Sequence, residues 1–394
     1  MLVKHFESKE AFYRFLKEKV GIFFREAHHR SSEGLSHVLY IKKEGLNPEN
    51  FFNLCRQACL HAFHGEGGFV LCGSEARIKD LCGMLVKEDR GLAFEIIGRL
   101  QAYHKKFFKL QYNRKILPLG IKTAVMGVLN VTPDSFSDGG LYKSPSEAVN
   151  RALQMVEEGA DIVDIGGEST RPGSQRISAE EELKRVLPPL KEIRKELPNL
   201  WISVDTYKAE VAKACLEEGA DMINDISGGT FDKNMHRLVA QYNCPYVLTH
   251  IKGRPETWRE EPPLYEDVVE EVVRWFEERL KGLKEAGYKG QVVLDPGIGF
   301  GKLPEHNVEI LKRFEEFRIF GMPLMVGVSR KSFIGILMEG LLKKSTKPTD
   351  RLYGSLGALA PAVIKGAHIV RVHDVRETRE FLALLDTVRT YGEF

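Results

Sequence analysis

Residues 124–140 read AVMGVLNVTPDSFSDGG. An apolar run, AVMGVLN, gives way at Asn130 to a polar segment with Pro133, Gly139 and Gly140 among Asp134, Ser135, Ser137 and Asp138, around one aromatic, Phe136. The run suits a strand covered on both faces. The segment after it is longer and more polar than a turn needs. The same pattern recurs downstream in DIVDIG (161–166), WISVDT (201–206), MINDIS (222–227), YVLTH (246–250), QVVLDP (291–296), PLMVGVS (323–329) and HIVRVHD (368–374). Amphipathic helical patterns separate these runs, as in AEEELKRVLPPL after Ser178, where a cap residue precedes acids in the first turn. Eight β–α alternations predict an α/β chain closed as a (β/α)8 TIM barrel rather than an open sheet.

A weak repeat agrees with that reading. EEGAD occurs at 157–161 and 217–221, before the second and fourth strands; EAGYKG (285–290) and KGAH (365–368) precede the sixth and eighth. Each glycine is placed to end a helix in a left-handed conformation before the next strand. Upstream, FFKLQYNRKILPL (107–119) predicts a hairpin turning near Asn113–Arg114, a natural plug for the N-terminal end of a barrel. Residues 1–105 read as a separate small α/β domain of unassigned role, and residues 106–394 as the barrel domain. In the first, the pattern predicts a helix between Ser8 and Gly21, strands at HVLYI (37–41) and FVLCG (69–73), and helices near 48–63, 75–87 and 91–105.

Composition narrows the function classes. Lysine plus arginine number 57 against 55 acids, so charge balance supplies no reason to expect nucleic acid as a partner. The N-terminus, MLVKHFESKEAFYRFLKEKV, is charged throughout, unlike a signal peptide, and no apolar run is long enough for a bilayer, so no membrane partner is expected. Six cysteines without a CxxC pair suit a reduced, cytoplasmic protein. Cys55, Cys59, His61 and His64 are zinc-ligand types, but they crowd onto one expected helix with no loop to close a tetrahedron. Ordinary helix residues are the better reading.

Barrel active sites lie at the C-terminal ends of strands, so chemistry is sought there. The second strand ends in GGESTRPGS, where Thr170 and Arg171 offer a hydroxyl and a guanidinium to an anion and Pro172 shapes the loop. Asp205, Asn224 and Asp295 close three other strands. Polar groups in a barrel mouth are costly unless a ligand satisfies them, and a carboxylate suits the edge of an aminopyrimidine. Asp225 reads instead as a turn former. PGIGFGK after Asp295 lacks the spacing of a Walker A loop; at a strand end its glycines admit a flat ligand, with Phe300 at the edge. SRKSF (329–333) brings Lys331, and strand alternation puts Arg371 and His373 on one face, a ready pair for phosphate.

The segments NVTPDSFSDGG, ESTRPG, SVDT, NDISGG, DPGIGFGK, SRKSFIG and RVHDV together resemble those of dihydropteroate synthases, over about residues 107–394. That family condenses 6-hydroxymethyl-7,8-dihydropterin diphosphate with 4-aminobenzoate, releasing pyrophosphate and forming 7,8-dihydropteroate in folate biosynthesis. The resemblance implies that Asp205, Asn224, Asp295 and Lys331 hold the pterin, with Asp205, Asp295 and Lys331 as the catalytic groups. It implies that Asn130 helps coordinate Mg2+ on the diphosphate, which Arg371, His373, Thr170 and Arg171 grip. Phe136, Pro172 and Ser332 would shape the aminobenzoate pocket, with Phe300 nearby. Family members are commonly homodimers. Where many relatives carry methionines after the fifth strand, this chain has LTHIKGRPETWRE, with Thr249, Ile251 and Trp258. A pterin-binding methyltransferase barrel would need no diphosphate grip, and a non-catalytic paralogue would be expected to lose loop or anion groups that this chain retains.

Overall fold

The computed structural model describes residues 2–4, 37–41, 46–65, 68–132, 145–169, 174, 176–258, 263–343 and 345–390. The expected helix at 8–21 lies outside them, as do Phe136, Thr170, Arg171 and Pro172. Contacts divide the chain into two compact units, Met1–Lys105 with Glu315–Gly321, and Lys106–Phe314 with Met322–Phe394.

In the first unit, β1 (Leu2–Lys4), β2 (His37–Ile41), β3 (His61–Gly65) and β4 (Gly68–Gly73) form an antiparallel sheet in the order β1-β2-β4-β3. Helices α1 (Pro48–Gln57), α2 (Glu75–Glu88) and α3 (Arg90–His104) complete it, with Phe51, Ile78, Leu81 and Ile96 buried. The sequence reading is corrected at residues 58–65. The helix expected to reach residue 63 stops at Gln57, Cys59 adopts φ +54°, and His61 to Gly65 pair with β4. Cys59 turns the chain out of the helix, and the Gly65–Gly68 pairing closes His61–Gly65 onto β4 as a hairpin. Cys55, Cys59, His61 and His64 are therefore not on one helix, and no metal-ligand group forms among the described residues.

In the second unit, β5 (Phe108–Tyr112) and β6 (Lys115–Leu119) form the expected hairpin. Its turn residues Asn113 and Arg114 have φ +45° and +66°, the left-handed pair of a tight type I′ turn. Eight parallel strands follow: β7 (Ala124–Asn130), β8 (Ile162–Gly166), β9 (Trp201–Asp205), β10 (Met222–Asp225), β11 (Tyr246–Thr249), β12 (Val292–Asp295), β13 (Met325–Val326) and β14 (Ile369–Val372). They run β12-β11-β10-β9-β8-β7-β14-β13, and a parallel bridge from Leu294 to Leu324 joins the ends of the series. The predicted barrel is the observed fold.

One cluster sets the polarity of that barrel. Leu110, Leu117 and Leu119 of the hairpin pack with inward residues near the start of every strand: Ala124 and Met126, Ile162, Trp201, Met222, Val247, Val293, Met325 and Ile369. The hairpin closes the N-terminal end with apolar surface. Side chains two and four positions further along share the inward face, so polar residues there collect at the other end.

The EEGAD repeat is a latch around the barrel foot. Gly159 and Gly219 both have φ +99° and end their helices. Asp161 accepts from the Val125 amide at 2.9 Å and pairs with Arg379, which also donates to the Gly159 carbonyl. Asp221 accepts from the Ile202 amide at 2.9 Å and from Arg194 at 2.6 Å, and Arg194 donates to Gly219 O at 3.0 Å. Each aspartate thus ties the foot of a neighbouring strand to a helix that packs outside it.

Candidate active site

Continuing the inward face of each strand past the apolar layer leads from Ile162 to Asp164, from Trp201 through Ser203 to Asp205, and from Met222 to Asn224. It leads likewise from Val293 to Asp295 and from Ile369 through Arg371 to His373. Asp164, Asn224 and Asp295 are 0 %, 2 % and 4 % exposed. Buried carboxylates need partners, and Arg371 supplies two of them. Its Nε donates to Asp164 Oδ2 at 2.7 Å and its Nη2 to Asp205 Oδ2 at 2.6 Å, with Nη1 outside both bonds. Asn224 Nδ2 donates to Asp164 Oδ2 at 2.9 Å. Two acceptors in this knot, Asp164 Oδ1 and Asn224 Oδ1, are buried with no partner among the described residues.

Asp295 stands opposite, on β12. Its Oδ1 accepts the Gly297 amide at 2.7 Å. Gly297 has φ +68°, and a Cβ there would lie 1.8 Å from the His250 carbonyl, so the turn tolerates only glycine. Lys331 reaches in from the loop after β13; its ammonium donates to the Ile298 carbonyl and lies 4.4 Å from the centre of the Phe300 ring. Arg330 beside it is left-handed (φ +59°) and turns onto Asp374 at 3.1 Å, which leaves Lys331 to face the mouth. Ser332 is the exposed first residue of the helix Ser332–Leu342.

Burial dominates the electrostatics. It pushes the Asp205 carboxyl up to about 7, with Arg371 opposing and Asp164 reinforcing. Asp295 is raised by burial against the pull of Lys331. Lys331 is lowered to about 8 by burial, with Asp295 opposing. Burial would weaken the hold of Arg371 on its proton, but Asp164 and Asp205 reverse the balance and it stays a cation.

The remaining predicted groups lie around this centre. Half-buried Asn130 ends β7; a Cβ at Gly166 would come within 3.3 Å of its Oδ1 and 3.6 Å of the Asp205 Cβ, so Asn130 and Asp205 flank one strand end. His373 Nδ1 lies 3.0 Å from Ser329 Oγ. Asp225 points outward and is a turn former, as expected: it accepts from Ser227, Gly229 and Tyr246. Thr249 and Ile251 are buried, and Trp258 donates to the Lys252 carbonyl at 2.7 Å with its ring 6.2 Å from Phe300.

The sequence reading missed Asp164. The signal was present: an aspartate inside an apolar strand, in register with inward Ile162. It also missed Glu168 and Glu182, both paired with Lys208 at the foot of the second-strand loop, and the contact of His250 with Lys302.

The polar inner residues of the barrel converge on a carboxylate–arginine knot, and residues 126–373 match the family model "Pterin binding enzyme", which gives the class of the protein. The dihydropteroate synthase of Escherichia coli (strain K12) is 46% identical over 270 residues, 68% of this chain and 93% of that protein. A crystal structure of the Yersinia pestis dihydropteroate synthase with a sulfonamide drug complex aligns with TM-score 0.67 at 38% identity, covering 72% of this chain and 99% of that one. The Xanthomonas albilineans dihydropteroate synthase with 4-aminobenzoic acid aligns with TM-score 0.65 at 38% identity, again over 72% and 99%. The chain belongs to the dihydropteroate synthase family of transferases.

Proposed function

We propose that residues 106–394 are the catalytic domain and that the knot of Asp164, Asp205, Asn224 and Arg371, with Asp295 and Lys331 across the mouth, is its pterin site. The chain condenses 6-hydroxymethyl-7,8-dihydropterin diphosphate with 4-aminobenzoate to give 7,8-dihydropteroate and pyrophosphate. The observation that carries this reading is the buried, unpartnered pair Asp164 Oδ1 and Asn224 Oδ1. Orphaned acceptors at that depth call for a ligand that brings N–H donors, and the aminopyrimidine edge of a pterin does so.

The chemistry follows from the placement. Departure of diphosphate from the pterin methylene leaves a cation delocalised into the ring, and Asp205 and Asp295 hold negative charge beside it. Lys331 donates to the ring, and Phe300 forms an edge of the aminobenzoate pocket with Ser332. Arg371 keeps Nη1 for the diphosphate while its other nitrogens order the two aspartates; His373, held by Ser329, is the second diphosphate group. Thr170, Arg171, Phe136 and Pro172 complete the grip and the pocket on the family pattern. The displacement is dissociative: the C–O bond breaks with its electron pair leaving on diphosphate, the arylamine nitrogen then attacks the cation, and the anilinium so formed, a strong acid, gives its proton to the released diphosphate without a strong protein base. Positional isotope exchange in the diphosphate tests that step, and its absence would favour direct displacement.

Mg2+ fits the donor set at one point. Asn130 offers one amide oxygen at the strand end, and a hard cation that keeps waters and takes phosphate oxygens needs no more than one or two protein ligands. Bound there, the ion would neutralise charge on the leaving diphosphate.

Second copies of this chain are the proposed macromolecular partner. Leu341 (81 % exposed), Tyr353 (82 %), Leu384 (70 %) and Val388 (67 %) leave apolar surface on the last three helices, which suits a homodimer face. No described helix is long and apolar enough to cross a membrane, and the six free cysteines suit a cytoplasmic enzyme.

The deciding experiment is pyrophosphate release from pterin diphosphate by the purified chain with Mg2+. Release that requires 4-aminobenzoate is expected. Folded protein that releases none refutes the reading.

A further inference from the structure

The glycine loop after β12 carries much of the site yet has little rigidity of its own. Gly297, Gly299 and Gly301 all have positive φ (+68°, +81° and +60°), so three of its residues have wide conformational freedom when unfolded. Even so, the loop aims the Gly297 amide at Asp295, offers Ile298 O to Lys331 and sets the Phe300 ring under the Lys331 ammonium. Something must hold it.

Lys302 does so from the far end of the loop. Its Nζ donates to Gly297 O at 2.9 Å and to Phe300 O at 3.1 Å, and is hydrogen-bonded to His250 Nδ1 at 2.8 Å. Burial pushes Lys302 well below the usual lysine range against the pull of Asp295, and either charge state satisfies the three contacts: an ammonium donates to all three, and a neutral amine donates to both carbonyls and accepts from His250 Nδ1–H. His250 is 3 % exposed, and its ring stands edge-on to Trp275 at 5.0 Å. One nitrogen therefore draws both ends of the Gly297–Phe300 turn together and fastens them to the end of β11. We infer that Lys302, anchored by His250, is a positioning residue of the transferase: it holds the loop that orients Asp295 and Lys331 toward the pterin. This rests on the pterin reading of Asp295 and Lys331 proposed above.

The test uses the full chain as wild type, Lys302→Met, His250→Phe and the double variant. Pterin diphosphate binding is measured calorimetrically without 4-aminobenzoate, and steady-state kinetics are measured with both substrates. Lys302→Met should weaken pterin diphosphate binding about tenfold to a hundredfold, the scale of buried hydrogen-bonding groups left unpaired, and raise its KM in step. The KM for 4-aminobenzoate should rise less, because Phe300 alone of this loop edges its pocket. Because His250 acts through Lys302, the double variant should bind no more weakly than Lys302→Met alone. Wild-type pterin affinity in folded Lys302→Met, equal rises in both KM values, or additive losses would each overturn the proposal. If Lys302→Met does not fold, His250→Phe decides, and unchanged pterin affinity there overturns it equally. Wild-type protein that binds no pterin diphosphate would instead overturn the site reading on which the inference stands.

Discussion

The guanidinium of Arg371 donates to the Asp205 carboxylate at 2.6 Å, from β14 to β9, between residues 166 apart in sequence. With Asp164 on the other nitrogen, this cation holds one mid-strand and one strand-end carboxylate in place before any ligand arrives. Preorganised charge of this kind favours binding and catalysis, because the cost of ordering it is met during folding.

Asp164 tests that arrangement. Replacing it with alanine leaves the donors of Arg371 and Asn224 unpaired at a site 0 % exposed. In Asp164→Ala, kcat/KM for pterin diphosphate should fall about tenfold or more, with the KM for 4-aminobenzoate unchanged. Wild-type kcat/KM in steady-state assays would remove Asp164 from the site.

The pH profile should be narrow. With Asp205 near 7 and Lys331 near 8, kcat/KM for pterin diphosphate should be bell-shaped. It should fall below about pH 7 as Asp205 takes up a proton and above about pH 8 as Lys331 loses one. Lys331→Ala should abolish turnover rather than shift the basic limb. A flat profile from pH 6 to 9 (roughly the range of these two groups) would contradict both assignments.

Stability should follow the same carboxyl with a defined sign. Its folded pKa lies above its ordinary 3.8, so the folded chain holds the extra proton between those values. Its contribution to stability is therefore greatest below about pH 4 and is lost as pH rises toward 7. Denaturant unfolding across that interval should show a steeper fall in the wild type than in Asp205→Asn, where Asp295 still contributes a slope.

The hairpin plug should matter to folding rather than chemistry. Leu110 is 0 % exposed at the centre of the N-terminal layer. Leu110→Ala should cost about 2–5 kcal/mol and lower the Tm, with both KM values unchanged. A Tm equal to wild type would mean that the hairpin does not close the barrel.

The latch at the barrel foot predicts a similar loss. Asp221 is 1 % exposed and accepts from Arg194, Lys115 and the Ile202 amide. Asp221→Ala should destabilise the barrel by about 3–5 kcal/mol, because two cations lose their shared counter-charge. Thermal unfolding measures it.

What the sequence by itself determined was local. The eight apolar runs, the hairpin turning near Asn113–Arg114, the left-handed glycines of the repeat and the polar residues closing strands all express short-range rules. Strand period and backbone sterics act within a few residues and leave a readable pattern. The helix expected to continue to residue 63 marks where that fails. HAFHG becomes a strand because β4 is there to pair with it, and pairing outweighs a weak local preference. Partnership was decided only in three dimensions. Asp164 meets Arg371 across 207 positions, and Lys302 meets His250 across 52. Barrel closure sets those distances, and no local rule encodes which buried charge will find which partner. The tertiary structure thus turned a row of strand ends into one electrostatic site.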